Sequence, residues 1–173
     1  MKIGVFGGSF NPPHYGHLQS AMWALELLDE VWFVPSGGHH PFAKTLAPFQ
    51  DRLLMTQALI EGEDRLWVSD VEHLYSLSYT VDVLRKLTEM YPEHQFHLVM
   101  GMDCWLDRHK WKSFDEIERD YTPVIIQRHG YSNAVTCPVG YSSTEIRSAI
   151  QNGEDASMYM PAKVAEKAIT LYR

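Results

Sequence analysis

Lys2-Ile-Gly-Val-Phe6 runs directly into Gly7-Gly-Ser-Phe-Asn-Pro-Pro-His-Tyr-Gly-His-Leu18. The reading of this junction decides the fold. A short apolar run ends in two glycines, and a helical pattern begins near Gly16. That is a buried strand feeding a glycine-rich turn at the C-terminal edge of a parallel sheet, where open α/β sheets bind their ligands. Gly7 and Gly8 carry no Cβ, so backbone there can approach a bulky anion. The first turn of the following helix offers unpaired N–H groups and a positive dipole end. His14 and His17, three residues apart, add two donors on that first turn. All of these features suit one ligand type, a phosphate chain.

The stretch is neither a Walker A loop, because no Gly-Lys-Ser/Thr follows the glycines, nor the dinucleotide fingerprint, because G-x-G-x-x-G is absent. Two plainer readings compete. The histidines could simply cap and pack a helix start. They could also ligate zinc, but the other candidate ligands, Cys104, Cys137, His39, His40 and His109, show no paired metal spacing. His14-Tyr-Gly-His17 after Gly8-Ser-Phe-Asn-Pro resembles the H-x-G-H signature of the nucleotidyltransferase superfamily.

Downstream, strand and helix patterns alternate. Gly16 to Leu28 reads as a helix with Leu18, Ala21, Met22, Leu25 and Leu28 on one face. Val31-Trp-Phe-Val34 is a second buried strand, which completes a βαβ unit. Pro35 to Pro48 is a long loop for such a connection and carries Lys44. A helix over Phe49–Ile60 has Arg52 in its first turns, and Leu66-Trp-Val68 is a short strand. Ser78 is a candidate N-cap for a helix to Met90, whose Val81, Leu84 and Leu87 form a core stripe. Gln95 to Met100 is the next buried strand. Its exit, Gly101-Met-Asp103, places a carboxylate where it could accept hydroxyl hydrogen bonds. Trp111 lies between Lys110 and Lys112, so it could either cover the sheet edge or stack on a planar ring.

Pro123-Val-Ile-Ile-Gln127 is a further strand. In Gly140-Tyr-Ser-Ser-Thr-Glu-Ile-Arg147, Ser142 and Glu145 have capping-box spacing. Three hydroxyls and Arg147 at that helix start form a second anion site, or else an ordinary capped helix. A last helix from Pro161 to Tyr172 opens on a favourable proline. The expected architecture is α/β: a doubly wound, mostly parallel Rossmann-like sheet with helices on both faces.

At 173 residues the default is one domain spanning 1–173. The net charge of −7 argues against a nucleic-acid partner, which would call for a basic face. No apolar run reaches membrane-spanning length, and no signal peptide is visible. Two distant cysteines suit a reducing compartment. The expectation is a cytoplasmic protein that binds small anionic substrates, with homo-oligomerisation left open.

The chain resembles the bacterial nicotinate-nucleotide adenylyltransferase family along nearly its whole length. The matching pieces come in that family's order: Gly7 to His17, Val34-Pro35 with the loop lysine Lys44, Arg52-Leu-Leu-Met55, Ser78-Tyr-Thr80, Gly101-Met-Asp103, Trp111-Lys112, Ser142-Ser-Thr-Glu-Ile-Arg147, and Met160-Pro161 through Leu171-Tyr172. The resemblance implies adenylyl transfer from ATP to nicotinate mononucleotide in NAD biosynthesis, with Mg²⁺ entering with ATP and no metal ligand set of the chain's own. It implies that His14, His17, Lys44 and Arg147 act on the phosphates. Gly7, Gly8, Ser9, Phe10, Ser142, Ser143 and Thr144 would line the ATP site. Tyr79, Thr80, Asp103 and Trp111 would bind the pyridine mononucleotide. The chain departs from the family at Asn11, where Asp is common, at Leu77, in the loop His39-His-Pro-Phe-Ala-Lys44, and in a short Gly130–Val139 segment. The rival readings are an adenylyltransferase for nicotinamide mononucleotide or phosphopantetheine, and a non-catalytic nucleotide sensor.

Overall fold

The computed structural model describes residues 1–38, 46–126 and 141–173. Five strands form one parallel sheet: β1 (Lys2–Gly8), β2 (Glu30–Pro35), β3 (Leu66–Val68), β4 (Gln95–Gly101) and β5 (Val124–Ile126), in the order β3-β2-β1-β4-β5. Eight α-helices accompany them among the described residues: α1 (Tyr15–Ala24), α2 (Phe49–Leu59), α3 (Val71–Leu74), α4 (Thr80–Met90), α5 (Met102–Leu106), α6 (Phe114–Tyr121), α7 (Ser143–Gln151) and α8 (Ala162–Tyr172). None is long and apolar enough to cross a membrane.

The strand order reverses at β1, which pairs with β2 on one side and β4 on the other. Open α/β sheets form their ligand crevice at this kind of switch point. The register levels the edge there. Gly8 aligns with Pro35, and Phe6 aligns with Val99, so two residues further on Gly8 and Gly101 come level. Everything that follows β1, β2 and β4 therefore leaves from one rim.

Both faces are covered because the central strands are apolar on both sides. Ile3, Val5, Phe96, Leu98 and Met100 pack beneath α4 and α6 through Val81, Leu84, Leu87, Phe114 and Ile117. Phe33, Val31 and Val99 pack on the other face against Ala21, Met55, Ile146, Ile150 and Val164 of α1, α2, α7 and α8. The strand–helix alternation is as the sequence predicts, with differences at the ends. β1 continues through Gly7 and Gly8, since backbone pairing with β2 does not depend on side chains. α1 stops at Ala24, short of the expected Leu28. Tyr79, not Ser78, occupies the N-cap of α4, and Pro161 caps α8 from outside its first turn. The four-residue α3 is too short to carry a period and was not anticipated.

Candidate active site

His14 and His17 close the start of α1 in a reciprocal cap. His14 Nδ1 accepts from the Gly16 and His17 backbone N–H groups, and His17 Nδ1 accepts from the His14 N–H at 3.1 Å. The two rings lie 3.9 Å apart. In each ring Nδ1 serves as an acceptor, so the geometry selects the tautomer with the proton on Nε2. Capping and chemistry therefore do not compete. The cap uses Nδ1 of each ring as an acceptor, and in this tautomer the ring proton is on Nε2.

Phe10 sets the turn in front of them. It is 1% exposed and takes a left-handed φ of 46°, a conformation a bulky residue adopts only when its surroundings demand it. Its ring is wedged between Phe6, Phe33 and His17, with the His17 ring at 5.0 Å edge-on. Phe10 thus offers a ligand only its backbone. The wedge also separates the roles of the two glycines. A Cβ on Gly8 would meet the Phe10 ring at 3.1 Å, whereas a Cβ on Gly7 would meet nothing within 4 Å among the described residues.

The start of α7 lies against the same turn. Ser142 forms the capping box with Glu145: its N–H donates to the carboxylate at 2.7 Å, and its hydroxyl bonds it as well. These bonds, the backbone N–H first, hold the Glu145 carboxyl below its ordinary value. Ser143 Oγ donates to the Pro12 carbonyl at 2.9 Å, and Arg147 Nη1 donates to the Asn11 carbonyl at 2.7 Å. Arg147 Nη2 reaches Thr144 Oγ1 at 3.3 Å. Ser143 and Arg147 thus bind the turn itself, which brings the second expected anion site onto the first.

Across the rim, Asp103 is exposed in the first turn of α5, just past β4. Trp111 is half-buried, packed against the core cluster beneath α4 and α6 with its ring edge-on to Phe114 at 5.9 Å. Lys112 lies over the Tyr79 ring at 4.5 Å and pairs with Asp82 at 2.9 Å, and Arg85 joins Asp82 to Glu116. These ion pairs are solvent-exposed and individually weak. Together they tie the start of α4, with Tyr79 and Thr80, to the segment that carries Trp111. Lys44 lies outside the described residues, as do His39, His40, Arg128, His129 and Cys137.

Three residues with no assigned role in the sequence reading also meet at the turn. Asn11 is 2% exposed; its Oδ1 accepts from the Ala47 N–H at 3.0 Å and from the Tyr172 hydroxyl. Arg52 is buried beneath it. The available signal for Asn11 was its place inside the glycine–proline motif, where it departs from the common Asp. Burial pushes the Tyr172 phenol up to about 12 from its ordinary 10.0. The unfolded chain loses that proton first, so this contribution to stability is intact below pH 10 and fades as pH rises to about 12. Tyr172→Phe should flatten the alkaline fall in melting temperature over that window, by the equivalent of about 1 kcal/mol after allowance for partial solvent contact. An unchanged alkaline slope would remove Tyr172 from the account.

Among the described residues no three His, Cys, Asp or Glu side chains converge to hold a metal ion.

Two histidine rings and an arginine gathered beside a tight turn at the switch point make a rim suited to binding a phosphate chain, and comparison with known proteins gives the family. A family model described as cytidylyltransferase-like matches residues 5–149, and the chain belongs to that family. Within it, the chain belongs to the nicotinate-nucleotide adenylyltransferases. A protein of Myxococcus xanthus assigned that name is 38% identical over 170 residues, covering 94% of this chain and 89% of its own. One from Anaeromyxobacter sp. (strain K) is 35% identical over 171 residues, covering 94% and 91%. The crystal structure of a candidate nicotinate-nucleotide adenylyltransferase from Vibrio parahaemolyticus superposes with a TM-score of 0.80 at 28% identity, covering 99% of this chain and 95% of that one. The nicotinic acid mononucleotide adenylyltransferase of Plasmodium falciparum complexed with NaAD gives a TM-score of 0.75 at 20% identity, covering 98% and 95%, and at that identity speaks for the fold alone.

Proposed function

We infer that the chain, acting as one nucleotidyltransferase unit over residues 1–173, transfers the adenylyl group of ATP to nicotinate mononucleotide, releasing pyrophosphate and forming nicotinate adenine dinucleotide. The observation that supports this mechanism is the reciprocal histidine cap, which holds both rings at one helix start with Nδ1 accepting and the ring proton on Nε2. The acceptor phosphate is already an anion, so its oxygen attacks the α-phosphorus of ATP without a general base. The bond to the β-phosphate oxygen breaks as the new P–O bond forms, and the leaving pyrophosphate takes the electron pair. Catalysis is then positioning plus stabilisation of charge on the phosphoryl oxygens. His14 and His17 donate to those oxygens from Nε2. Arg147 adds fixed positive charge, and Gly7 gives the triphosphate an open backbone to lie against. Lys44 is assigned to the phosphates by family position. Mg²⁺ would be held by ATP oxygens and water and would offset phosphate charge. We place the reaction in the cytoplasm, a reducing compartment that suits the exposed thiol of Cys104.

The test is pyrophosphate release from ATP and Mg²⁺ with three acceptors offered separately. Release with nicotinate mononucleotide supports the assignment. Release only with nicotinamide mononucleotide or only with phosphopantetheine keeps the chemistry and overturns the acceptor. ATP binding without release in any arm favours a sensor. On the acceptor side, Trp111→Ala and Asp103→Ala should each raise KM for the mononucleotide about 10- to 100-fold, with KM for ATP within about twofold, since stacking and a charge-assisted hydrogen bond are each worth about 1–3 kcal/mol. Equal increases in both KM values would remove these residues from the acceptor site.

A further inference from the structure

Arg52, in the first turns of α2, is 1% exposed, yet no carboxylate among the described residues lies within ion-pair distance of it. Its donors go to backbone carbonyls on three separate loops: Nε to Ala47 at 2.9 Å, Nη1 to Ser9 at 2.8 Å and Nη2 to Ser36 at 2.8 Å. A buried cation is costly, and the guanidinium spreads its donors over three nitrogens in one rigid plane, an arrangement the single nitrogen of an ammonium does not reproduce. The Ser36 carbonyl belongs to the same peptide unit as the Gly37 N–H, and that N–H donates to Glu72 Oε1 at 2.9 Å. One peptide is therefore gripped at its oxygen by a cation and at its N–H by an anion. Burial lowers the Arg52 guanidinium from its ordinary value and raises the Glu72 carboxyl, and in each the charge of the other opposes the shift.

The gripped peptides lead back to the catalytic turn. Ser36 N–H donates to the Gly8 carbonyl, the Ser9 carbonyl is held directly, and Ala47 donates its N–H to Asn11. Both ends of the turn that delivers His14 are thus fixed from one buried side chain.

Resting on the adenylyl-transfer reading above, we propose that Arg52 is a positioning residue for that reaction: with Glu72 gripping the far end of the Ser36–Gly37 peptide, it sets the Ser9–Asn11 backbone and so aims His14 and His17 at ATP, without touching substrate. Arg52→Lys keeps the charge but loses the fork. Its folded fraction, assayed below its melting temperature, should show kcat lowered about 30-fold and KM for ATP raised about fivefold, with KM for the pyridine mononucleotide within twofold. Glu72 is half-buried, and its replacement leaves the Arg52 bonds in place. Glu72→Ala should lower kcat about tenfold, and Glu72→Gln, whose amide oxygen can accept the same N–H, should recover it to within about twofold. A purely structural role would lower the melting temperature and leave these constants alone. Wild-type kcat and KM in the folded fraction of Arg52→Lys, or in Glu72→Ala if Arg52→Lys does not fold, would overturn the proposal. If the wild-type chain binds ATP without releasing pyrophosphate, the functional reading fails separately. The same variants are then read by Kd for ATP, where about fivefold weakening supports the clamp and an unchanged Kd overturns it.

Discussion

His14→Ala lowers kcat about 1000-fold while KM for ATP rises no more than about fivefold. The donor on Nε2 acts on charge that develops at phosphorus, and one such preorganised donor is worth about 10²–10³ in rate. Alanine also removes the N-cap of α1, which by itself costs about 1 kcal/mol of stability. The two losses separate in His14→Asn. Asparagine is a good cap and can accept from the first-turn N–H groups that Nδ1 now serves, but its side chain is too short to deliver a donor where Nε2 stands. Steady-state kinetics and a melting curve on the pair decide the matter: Asn should restore the melting temperature and leave kcat near the Ala value. If His14→Ala kept more than about a tenth of wild-type kcat, the catalytic role given to this ring would be wrong.

Gly4→Ala destabilises the chain by about 2–3 kcal/mol. Gly4 is in the middle of β1, paired on both sides. A Cβ there would lie 2.6 Å from Leu28 Cδ1, 2.7 Å from Val99 Cγ2 and 3.3 Å from Val31 Cγ2. Leu28 can turn its terminal methyl aside, but the two valines are β-branched, with stiff χ1 angles, on strands that cannot move apart without breaking the ladder. The stiffer unfolded chain returns less than 1 kcal/mol. A fall in melting temperature of about 5–10 °C is expected for a chain of this size, with KM for ATP unchanged in the folded fraction. Gly7→Ala is the counterpart. With nothing among the described residues within 4 Å of its Cβ, it should leave the melting temperature within about 1 °C and raise KM for ATP, because the methyl points into the space assigned to the triphosphate. A large thermal loss in Gly7→Ala, or none in Gly4→Ala, would contradict these packing assignments.

The two glycines at the end of β1 look alike in the sequence, and both read as room for an anion. In the fold, Gly7 has no neighbour among the described residues within reach of a Cβ, and Gly8 is closed by Phe10. Phe10 itself reads as part of a nucleotide-binding motif, yet its ring is core and its backbone is left-handed. Ser142, Ser143 and Arg147 read as a helix start suited to an anion. The cap at Ser142 formed as expected, but the partners of Ser143 and Arg147 are carbonyls of a turn more than 130 residues away in the chain. Arg52 stood in one of the matching family pieces, near the start of a helix, but with no role attached to it.

What the sequence determined by itself is local and periodic. The runs of Val, Ile, Leu and Phe bounded by glycine and proline specify strands. The 3.6-residue stripes specify helices, and Ser142-x-x-Glu145 specifies a cap, because each depends on side chains within a few residues of one another. Alternation of those elements was enough for a parallel α/β sheet, and the His14–His17 spacing was enough to single out one rim as the candidate site. Only the tertiary structure decided where the remaining donors go. Which carbonyls Arg52 and Arg147 meet, which hydroxyl reaches Asn11, and which glycine faces a ring all depend on the order β3-β2-β1-β4-β5 and on helices folding back across it. A buried donor takes whatever acceptor packing brings to it, and no spacing along the chain encodes that partner.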